Sequence, residues 1–229
     1  MTKLTTNIKN SFTKRGISIQ GTNQATGLLP SLYRLGQANI KVKTIYDIGA
    51  HDGSWSRQVS EFLGGNALFF LFEPNTSHNS ELKKLGFQIF NEVLSDQVKD
   101  VDWFGLGGYG DSYFREKSEF YESHQPVIKT TSTLNSIIEI YDLPIPDLIK
   151  IDTQGSEIDI INGANRFIRD VKLVILECPI VEYNYGAPNM FEYLSTMESY
   201  GFEPIDVTEV HRINGVLVQI DIIFKMISK

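Results

Sequence analysis

The sequence predicts an α/β fold built on a mostly parallel, doubly wound sheet of seven strands. From residue 43 onward, short apolar runs alternate with segments of helical length, which is the pattern of repeated βαβ units. The last two apolar runs, 202–207 and 215–225, are joined by a connection too short to hold a crossover helix. Because parallel strands need a long connection, one strand near the C-terminus is predicted to be antiparallel.

The first half of the chain is predicted to supply three strands. These are TIYDIG (44–49), ALFFLFE (67–73) and FQIFNEVLS (87–95), with one helix after the first strand and another at 75–86. ALFFLFE is apolar throughout, as expected for a strand that is covered on both faces. Residues 1–40 are predicted to be a polar lead-in with a short helix near 30–38, and residues 41–229 to form one domain.

An irregular segment separates the two halves of the predicted sheet. VDWFG (101–105) is consistent with a short extra strand, and the glycine-rich LGGYGDSYF (106–114) is predicted to be a mobile loop that closes over a ligand. The alternation then resumes, with strands at 147–152 and 172–177 and with helices at 132–141, 156–168 and 189–200.

Composition and charge argue against several classes of function. The chain has 229 residues, a formal net charge of −7 and no basic cluster interleaved with aromatic residues, so no nucleic-acid partner is expected. No apolar run approaches the roughly 20 residues of a membrane span, and the N-terminus lacks the apolar stretch of a secretory signal. The single cysteine, Cys178, excludes an internal disulfide. We therefore expect a cytoplasmic protein, and its oligomeric state stays open.

The residues just past the predicted strands are the candidates for ligand binding. In an open parallel sheet, ligands bind outside the carboxyl ends of the strands. Acidic residues recur at four of the five exits in the alternating part of the chain. In strand order, the candidates are Asp47, Gly49, Ala50, His51, Asp52 and Gly53; Glu73, Pro74 and Asn75; Leu94; Asp152; and Glu177.

The first two exits favour a nucleoside ligand without phosphates. The loop DIGAHDG (47–53) lets the backbone approach a ligand closely, but its G-x-x-x-G spacing does not meet the three-glycine dinucleotide fingerprint. Glu73 lies where an acidic side chain accepts hydrogen bonds from both ribose hydroxyls. The loop has no lysine or arginine to bind phosphate before Arg57, whereas Asp47 and Asp52 suit a positively charged sulfonium. S-adenosylmethionine is a ligand of this kind.

The segment DLIKIDTQGSEIDIINGA (147–164) places a cluster of charge at the end of a strand. Asp152 leaves the predicted strand beside the place where the methyl group of such a ligand would lie. Gly155 permits a sharp turn, and Glu157 begins a helix whose N-terminal dipole favours acids. A strand made for packing alone has no use for Asp152 or for the preceding Lys150.

Three of these motifs resemble a known family. YDIGAHDGSWS, LFEPN and DLIKIDTQGSEIDIINGA are similar, in order and spacing over roughly residues 40–180, to the FkbM-type S-adenosylmethionine-dependent methyltransferases. The resemblance implies a Rossmann-like class I methyltransferase fold for residues 41–229. It also implies O-methylation of a hydroxyl on a sugar, a surface glycan precursor or a related small molecule, with S-adenosylmethionine as the cofactor. The site residues that it implies are the cofactor loop Asp47, Gly49, Ala50 and Gly53, the ribose acid Glu73, the motif Asp152, Gln154, Gly155 and Glu157, and Glu177.

The reaction expected from this resemblance is an in-line transfer of the methyl group to an acceptor hydroxyl, whose proton is removed by a base. Asp152 is the first candidate for the base or for orienting the acceptor, followed by Glu157 or Glu177. If Asp152 and Glu177 converge, an alternative is that they hold a divalent metal that lowers the pKa of the acceptor. No metal ligand is otherwise assigned, and the histidines are interpreted as surface or packing residues.

Two other classes of function stay open on the sequence. One is a nicotinamide-dependent oxidoreductase or nucleotide-sugar enzyme on a related sheet, against which the missing third glycine counts. The other is a non-catalytic module that keeps the methyltransferase fold, against which the acids at four strand exits count.

Overall fold

The computed structural model describes residues 24–108 and 110–227, and it confirms the predicted α/β sheet. Seven strands form a main sheet in the order β3-β2-β1-β7-β8-β10-β9. Neighbouring strands are parallel except at β10, which runs antiparallel to both β8 and β9. In chain order the strands are β1 (Thr44–Ile48), β2 (Leu68–Phe72), β3 (Gln88–Phe90), β4 (Val93–Leu94), β5 (Asp100–Trp103), β6 (Val127–Ser132), β7 (Leu148–Ile151), β8 (Leu173–Pro179), β9 (Phe202–Ile213) and β10 (Val216–Met226).

The helices begin and end where the sequence supplies caps. Asn189 and its partner Glu192 form a capping box before the last helix, which ends at Gly201 in the left-handed conformation with φ of 93°. Thr133 and Ser136 form a similar box before the helix Leu134–Tyr141. The helices are α1 (Leu28–Gln37), α2 (Ser54–Phe62), α3 (Asn79–Lys84), α4 (Glu119–Glu122), α5 (Leu134–Tyr141), α6 (Glu157–Asn162) and α7 (Met190–Tyr200), with 3-10 turns at Thr76–His78 and Ile168–Asp170.

The core has two apolar layers, one on each face of the main sheet. Successive residues of β1 serve different layers: Ile45 packs in the layer that holds Val59 of α2, and Tyr46 packs in the layer that holds Tyr193 of α7. Helix α1 belongs to the first of these layers through Leu28, Leu32 and Leu35. The predicted lead-in helix therefore packs on the domain, while residues 1–23 lie outside the described part of the chain.

The predicted third strand, 87–95, is wrong as one continuous element. The chain leaves the main sheet after Phe90, and β4 joins a second sheet of order β4-β6-β5. The predicted extra strand at 101–105 is confirmed as β5 in that sheet. Strand β6 was not predicted because its sequence, VIKTTS, does not alternate apolar and polar residues. In the structure, its neighbouring residues Val127 and Ile128 are both exposed, at 56% and 64%.

The predicted helix at 156–168 is shorter in the structure, and the final hairpin is longer. α6 stops at Asn162 because Gly163 follows, where an added Cβ would lie 2.1 Å from the carbonyl oxygen of Ser95. β9 continues past the predicted end at residue 207 to Ile213, where Asn214 and Gly215 turn the chain with φ of 51° and 82°. In the described residues, we find no helix with the length and apolar character needed to cross a membrane.

Candidate active site

Two adjoining cavities lie at the carboxyl edge of the main sheet. The first, here called the Glu73 cavity, has about 640 Å³ of empty space open to solvent and is bordered by the ends of β1, β2, β4 and β7. The second, called the Glu177 cavity, has about 1150 Å³ and is bordered by the ends of β1, β7 and β8 and by the β9–β10 hairpin. The residues that line both cavities are Gly49, His51, Asp152 and Gln154.

The cavities meet where β1 and β7 leave the sheet side by side. Gly49 has φ of 74°, and a Cβ there would lie only 1.9 Å from the carbonyl oxygen of Asp152. A larger residue is therefore excluded both by its backbone conformation and by this close approach. Gly53 is similarly restricted, with φ of 76° and the side chain of Leu85 within 2.4 Å of an added Cβ, but it lines neither cavity.

Lys150 forms ion pairs with both acids at this junction. Its Nζ lies 3.2 Å from Oδ1 of Asp47 and 3.3 Å from Oδ2 of Asp152, and it donates a hydrogen bond to the carbonyl of Gly49. Burial alone would lower the pKa of Lys150, but Asp152 and Asp47 raise it above its ordinary value. Asp47 is fully buried and also accepts a 2.6 Å hydrogen bond from Ser56, so it supports the junction from below and lines neither cavity.

Glu73 faces its cavity with a carboxylate that the backbone holds in place. Oε2 accepts the N–H of His51 and Oε1 accepts the N–H of Asn75, both at 2.8 Å. Burial raises the pKa of Glu73, and these two N–H groups oppose that effect. The predicted Pro74 lines the cavity beside it. Asn75 instead caps the following turn by accepting the N–H of Ser77.

Apolar side chains and the glycine-rich loop also line the Glu73 cavity. The predicted Leu94 lies there with Trp103, Phe72 and Ile160.

The glycine-rich loop is anchored by Asp111, whose carboxylate accepts the N–H groups of Leu106, Gly107 and Gly108 at 2.8, 3.0 and 3.2 Å. Asn75 Nδ2 donates to the same carboxylate at 3.0 Å, which ties the loop to the exit of β2. Sequence reasoning missed Trp103 and Asp111, and the mobility predicted for this loop stays a prediction.

Glu157 is not exposed at the turn after β7 but is buried beneath it and holds it in place. Glu157 is fully buried, accepts the N–H groups of Thr153 and Gly155 at 2.8 and 3.0 Å, and accepts the hydroxyl of Tyr193. It lines neither cavity, so its position disfavours the direct catalytic role predicted for it and favours a positioning role. Gln154 lies at the centre of this turn in a left-handed conformation with φ of 59°, which is uncommon for a residue with a side chain.

Gln154 joins the two predicted acids that do reach the cavities. Its Nε2 donates to Asp152 at 3.2 Å and to Glu177 at 2.6 Å. Glu177 is only 6% exposed, and its second oxygen accepts a hydrogen bond from Gln219 of β10. Burial and the nearby Asp152 raise the pKa of Glu177 well above its ordinary value. Asp152 and Glu177 therefore converge, which is the arrangement that a metal ion shared by these two acids would require.

The outer wall of the Glu177 cavity comes from the β9–β10 hairpin. It carries Glu209, His211 and Asp221, none of which was predicted as a site residue. Burial and the charge of Asp152 raise the pKa of Asp221 to about 8. The signal in the sequence is the alternation of polar residues along 209–211 and 219–221, but only the register of the hairpin shows which of them face each other. The remaining predicted residues of this cavity are Ala50 and Asp52.

The sheet order, with a single antiparallel strand next to one edge, is that of the class I methyltransferases, which confirms the predicted fold class. The methyltransferase FkbM domain model matches residues 47–204, and the chain belongs to this family. The resemblance inferred from the three motifs is thereby confirmed, and methyl transfer is favoured over nicotinamide-dependent oxidation. The residue roles within the site stay predictions.

Two individual proteins illustrate the similarity. The 2-O-methyltransferase NoeI of Sinorhizobium fredii (strain NBRC 101917 / NGR234) is 25% identical over 174 residues, which cover 68% of this chain and 71% of NoeI. The crystal structure of methyltransferase FkbM from Methylobacillus flagellatus KT matches with a TM-score of 0.52 and 13% identity. That match covers 79% of this chain but only 43% of the solved chain, so it concerns the fold alone.

Proposed function

We propose that the protein transfers the methyl group of S-adenosylmethionine to a hydroxyl oxygen of a sugar, a surface glycan precursor or a related small molecule. The observation that supports this most strongly is the pair of cavities that meet at Gly49 and Asp152. The Glu73 cavity suits a nucleoside, and the Glu177 cavity presents carboxylates and amides. A group transferred between molecules bound in the two cavities has to pass the place where the cavities meet.

The Glu73 cavity suits the cofactor. A carboxylate fixed by two backbone N–H groups is pre-organised to accept hydrogen bonds from ribose hydroxyls. The apolar wall of Leu94 and Trp103 suits a flat base. Among the described residues that line this cavity there is no lysine or arginine, which favours a ligand without phosphates.

The Glu177 cavity suits the acceptor. We assign Asp152, which lines both cavities, to orient the acceptor hydroxyl, and Glu177 to take its proton. The raised pKa of Glu177 fits that role, because a carboxylate with a raised pKa is a stronger base. NoeI is described as a 2-O-methyltransferase, and this supports oxygen as the atom methylated here.

The identity of the cofactor is tested by thermal unfolding with S-adenosylmethionine, S-adenosylhomocysteine and NAD. A ligand present at about 100 times its Kd stabilises the folded state by about 2.7 kcal/mol, which is readily measured. We expect both sulfur nucleosides to stabilise the protein and NAD to have no effect. Stabilisation by NAD alone would support the oxidoreductase instead, and stabilisation by none of the three would support a non-catalytic module.

The reaction is tested by transfer of a labelled methyl group from S-adenosylmethionine to a panel of neutral sugars and glycan fragments. Asp152→Asn should bind S-adenosylhomocysteine but lose transfer, whereas Asp142→Asn, at the exposed end of α5, should behave as the wild type. Transfer to a nitrogen acceptor, or undiminished transfer by Asp152→Asn, would contradict the proposed chemistry.

A further inference from the structure

The β9–β10 hairpin gathers three side chains of the kind that bind metals at the wall of the Glu177 cavity. One ligand atom from each of Glu209, His211 and Asp221 lies within 4.8 Å of the other two. Nε2 of His211 lies 3.2 Å from Oε2 of Glu209 and 4.0 Å from Oδ1 of Asp221. Donor atoms bound to one ion at about 2.1 Å lie roughly 3–4 Å apart, so small side-chain rotations would let all three share an ion.

The register of the hairpin creates this group. Asp221 of β10 lies directly opposite Glu209 of β9, and Gln219 lies opposite His211. Residues two apart on a strand share a face, so Glu209 and His211 both point towards the cavity that Asp221 lines. Their convergence is therefore fixed by the strands and not by a loop.

The row of acids around this group favours a bound cation or a proton. Asp221 also lies opposite Glu177 of β8, so three neighbouring strands carry one carboxylate each in a continuous row. Like charges in directly opposed positions destabilise a sheet. Among the described residues that line the cavity, Lys150 is the only lysine or arginine, and its Nζ is already placed between Asp47 and Asp152.

One oxygen in the row has no donor within the part of the chain that the structure describes. Oδ1 of Asp221 is buried and accepts no hydrogen bond from those residues, although the side chain is 15% exposed overall. A buried carboxylate oxygen without a partner carries an uncompensated desolvation cost, which either a proton or a bound ion relieves. Nε2 of His211 lies 4.0 Å from this oxygen, so the unpartnered atom lies on the side of Asp221 that faces the imidazole.

From these observations we propose that Glu209, His211 and Asp221 form a binding site for a divalent first-row metal ion. One imidazole and two carboxylates suit Mn²⁺ or Zn²⁺ better than Ca²⁺ or Mg²⁺, which prefer oxygen ligands only. The coordination positions not used by the protein face the Glu177 cavity. Metal binding here does not depend on methyl transfer, whereas a role of the ion in binding the acceptor hydroxyl rests on the proposed function.

The test is a titration of the chelator-treated full chain with Mn²⁺, followed by the electron paramagnetic resonance signal of free Mn²⁺, without any nucleoside present. We expect one ion per chain, with nitrogen hyperfine coupling from His211. Asp221→Asn and His211→Gln should each weaken binding at least about tenfold, since the loss of even an outer-sphere partner of a metal ligand commonly costs roughly 10–100-fold. Parallel calorimetry with Zn²⁺ checks the same stoichiometry.

Two further variants make the test specific. Glu203→Gln changes an exposed acid elsewhere on β9 and should leave the affinity unchanged. Asp152→Asn removes a nearby charge and not a ligand, so it should weaken binding less than Asp221→Asn and His211→Gln do, which separates this site from the Asp152–Glu177 pair considered from the sequence. No binding at millimolar Mn²⁺, or binding that is lost in Asp152→Asn but kept in Asp221→Asn and His211→Gln, would overturn the proposal. Because no nucleoside is present, neither result depends on whether the protein is a methyltransferase.

Discussion

The two cavities share the turn that carries Asp152, yet their carboxylates are compensated in opposite ways. At the exits of β1, β2 and β7, Asp47 and Asp152 are paired with Lys150, and Glu73 accepts two backbone N–H groups. At β8, β10 and β9, a row of carboxylates runs across three strands, and no lysine or arginine in residues 24–108 or 110–227 pairs with it. The first side is already balanced before a ligand binds, whereas the second gains stability from a proton, a metal ion or a polar acceptor.

The largest expected effect concerns the balanced side. Lys150→Met should lower the free energy of unfolding by about 3–5 kcal/mol, because it leaves Asp47 as an unpaired buried charge. Lys172→Met is the matched control: this lysine pairs with Asp147 but is half-exposed, so its loss should cost only about 0–1 kcal/mol. Urea unfolding of both variants measures the difference. Equal losses would show that Lys150 is not the residue that balances this side.

A second prediction concerns the close approach of β1 and β7. Gly49→Ala should lower stability by about 2–4 kcal/mol, through its positive φ and through the clash with the carbonyl of Asp152. Gly65→Ala shares the positive φ, at 71°, but has open space around it, so only about 1 kcal/mol should be lost. The comparison of their thermal midpoints isolates the clash. A similar loss in both variants would mean that backbone conformation alone explains Gly49.

A third prediction concerns the brace beneath the shared turn. Tyr193→Phe removes the hydroxyl that Glu157 accepts and should lower stability by about 1–3 kcal/mol. It should also speed amide hydrogen exchange at Thr153 and Gly155, a local effect that a general packing defect would not select. Tyr33→Phe, at an exposed tyrosine of α1, should change stability by less than about 0.5 kcal/mol. Unchanged exchange at the turn in Tyr193→Phe would contradict a positioning role for Glu157.

The smallest expected effect has the opposite sign and concerns the unbalanced side. In chelator, Asp221→Asn should raise stability by about 0.2–1 kcal/mol, because it removes one charge from the row. Asp206→Asn, which removes the partner of Arg34, should instead lower stability by up to about 1 kcal/mol.

The gain in Asp221→Asn should depend on pH. Burial and Asp152 raise the pKa of Asp221 to about 8, so the folded protein binds that proton more tightly than the unfolded chain does. The charged carboxylate therefore lowers the free energy of unfolding most above about pH 8. This loss becomes smaller as the pH falls towards the ordinary pKa of an aspartate. Unfolding measured at pH 9 and pH 5 should show a larger gain at the higher pH, and a gain that grows as the pH falls would contradict this account.

The balanced side was predictable from the sequence because its residues follow strands whose ends are visible as apolar runs. Glu73 and Asp152 each end such a run, and the parallel arrangement then brings their exits to one edge. What the sequence did not show is where a side chain turns after the strand. Asp47 and Glu157 both lie in the predicted motifs, yet the structure buries them beneath the site as supports.

The unbalanced side was missed because it depends on pairing between distant segments. Glu209 and Asp221 become neighbours only through the register of the β9–β10 hairpin, and a shift by one residue would place them on opposite faces. Asp111 was missed for a related reason, since its cage of three N–H groups exists only in the folded loop. Contacts that depend on strand register or on loop conformation are difficult to predict from the pattern of residues along the sequence.

The claim that the two sides hold different ligands is tested most directly by titrating S-adenosylhomocysteine into Glu73→Gln and Glu177→Gln by calorimetry. Glu73→Gln should bind the nucleoside at least about tenfold more weakly, since hydrogen bonds to a charged group contribute about 1.5–3 kcal/mol. Glu177→Gln should bind it within about threefold of the wild type, a difference of less than 1 kcal/mol. Equal weakening in both variants, or weakening in Glu177→Gln alone, would contradict the assignment of the Glu73 cavity to the cofactor and of the Glu177 cavity to the acceptor.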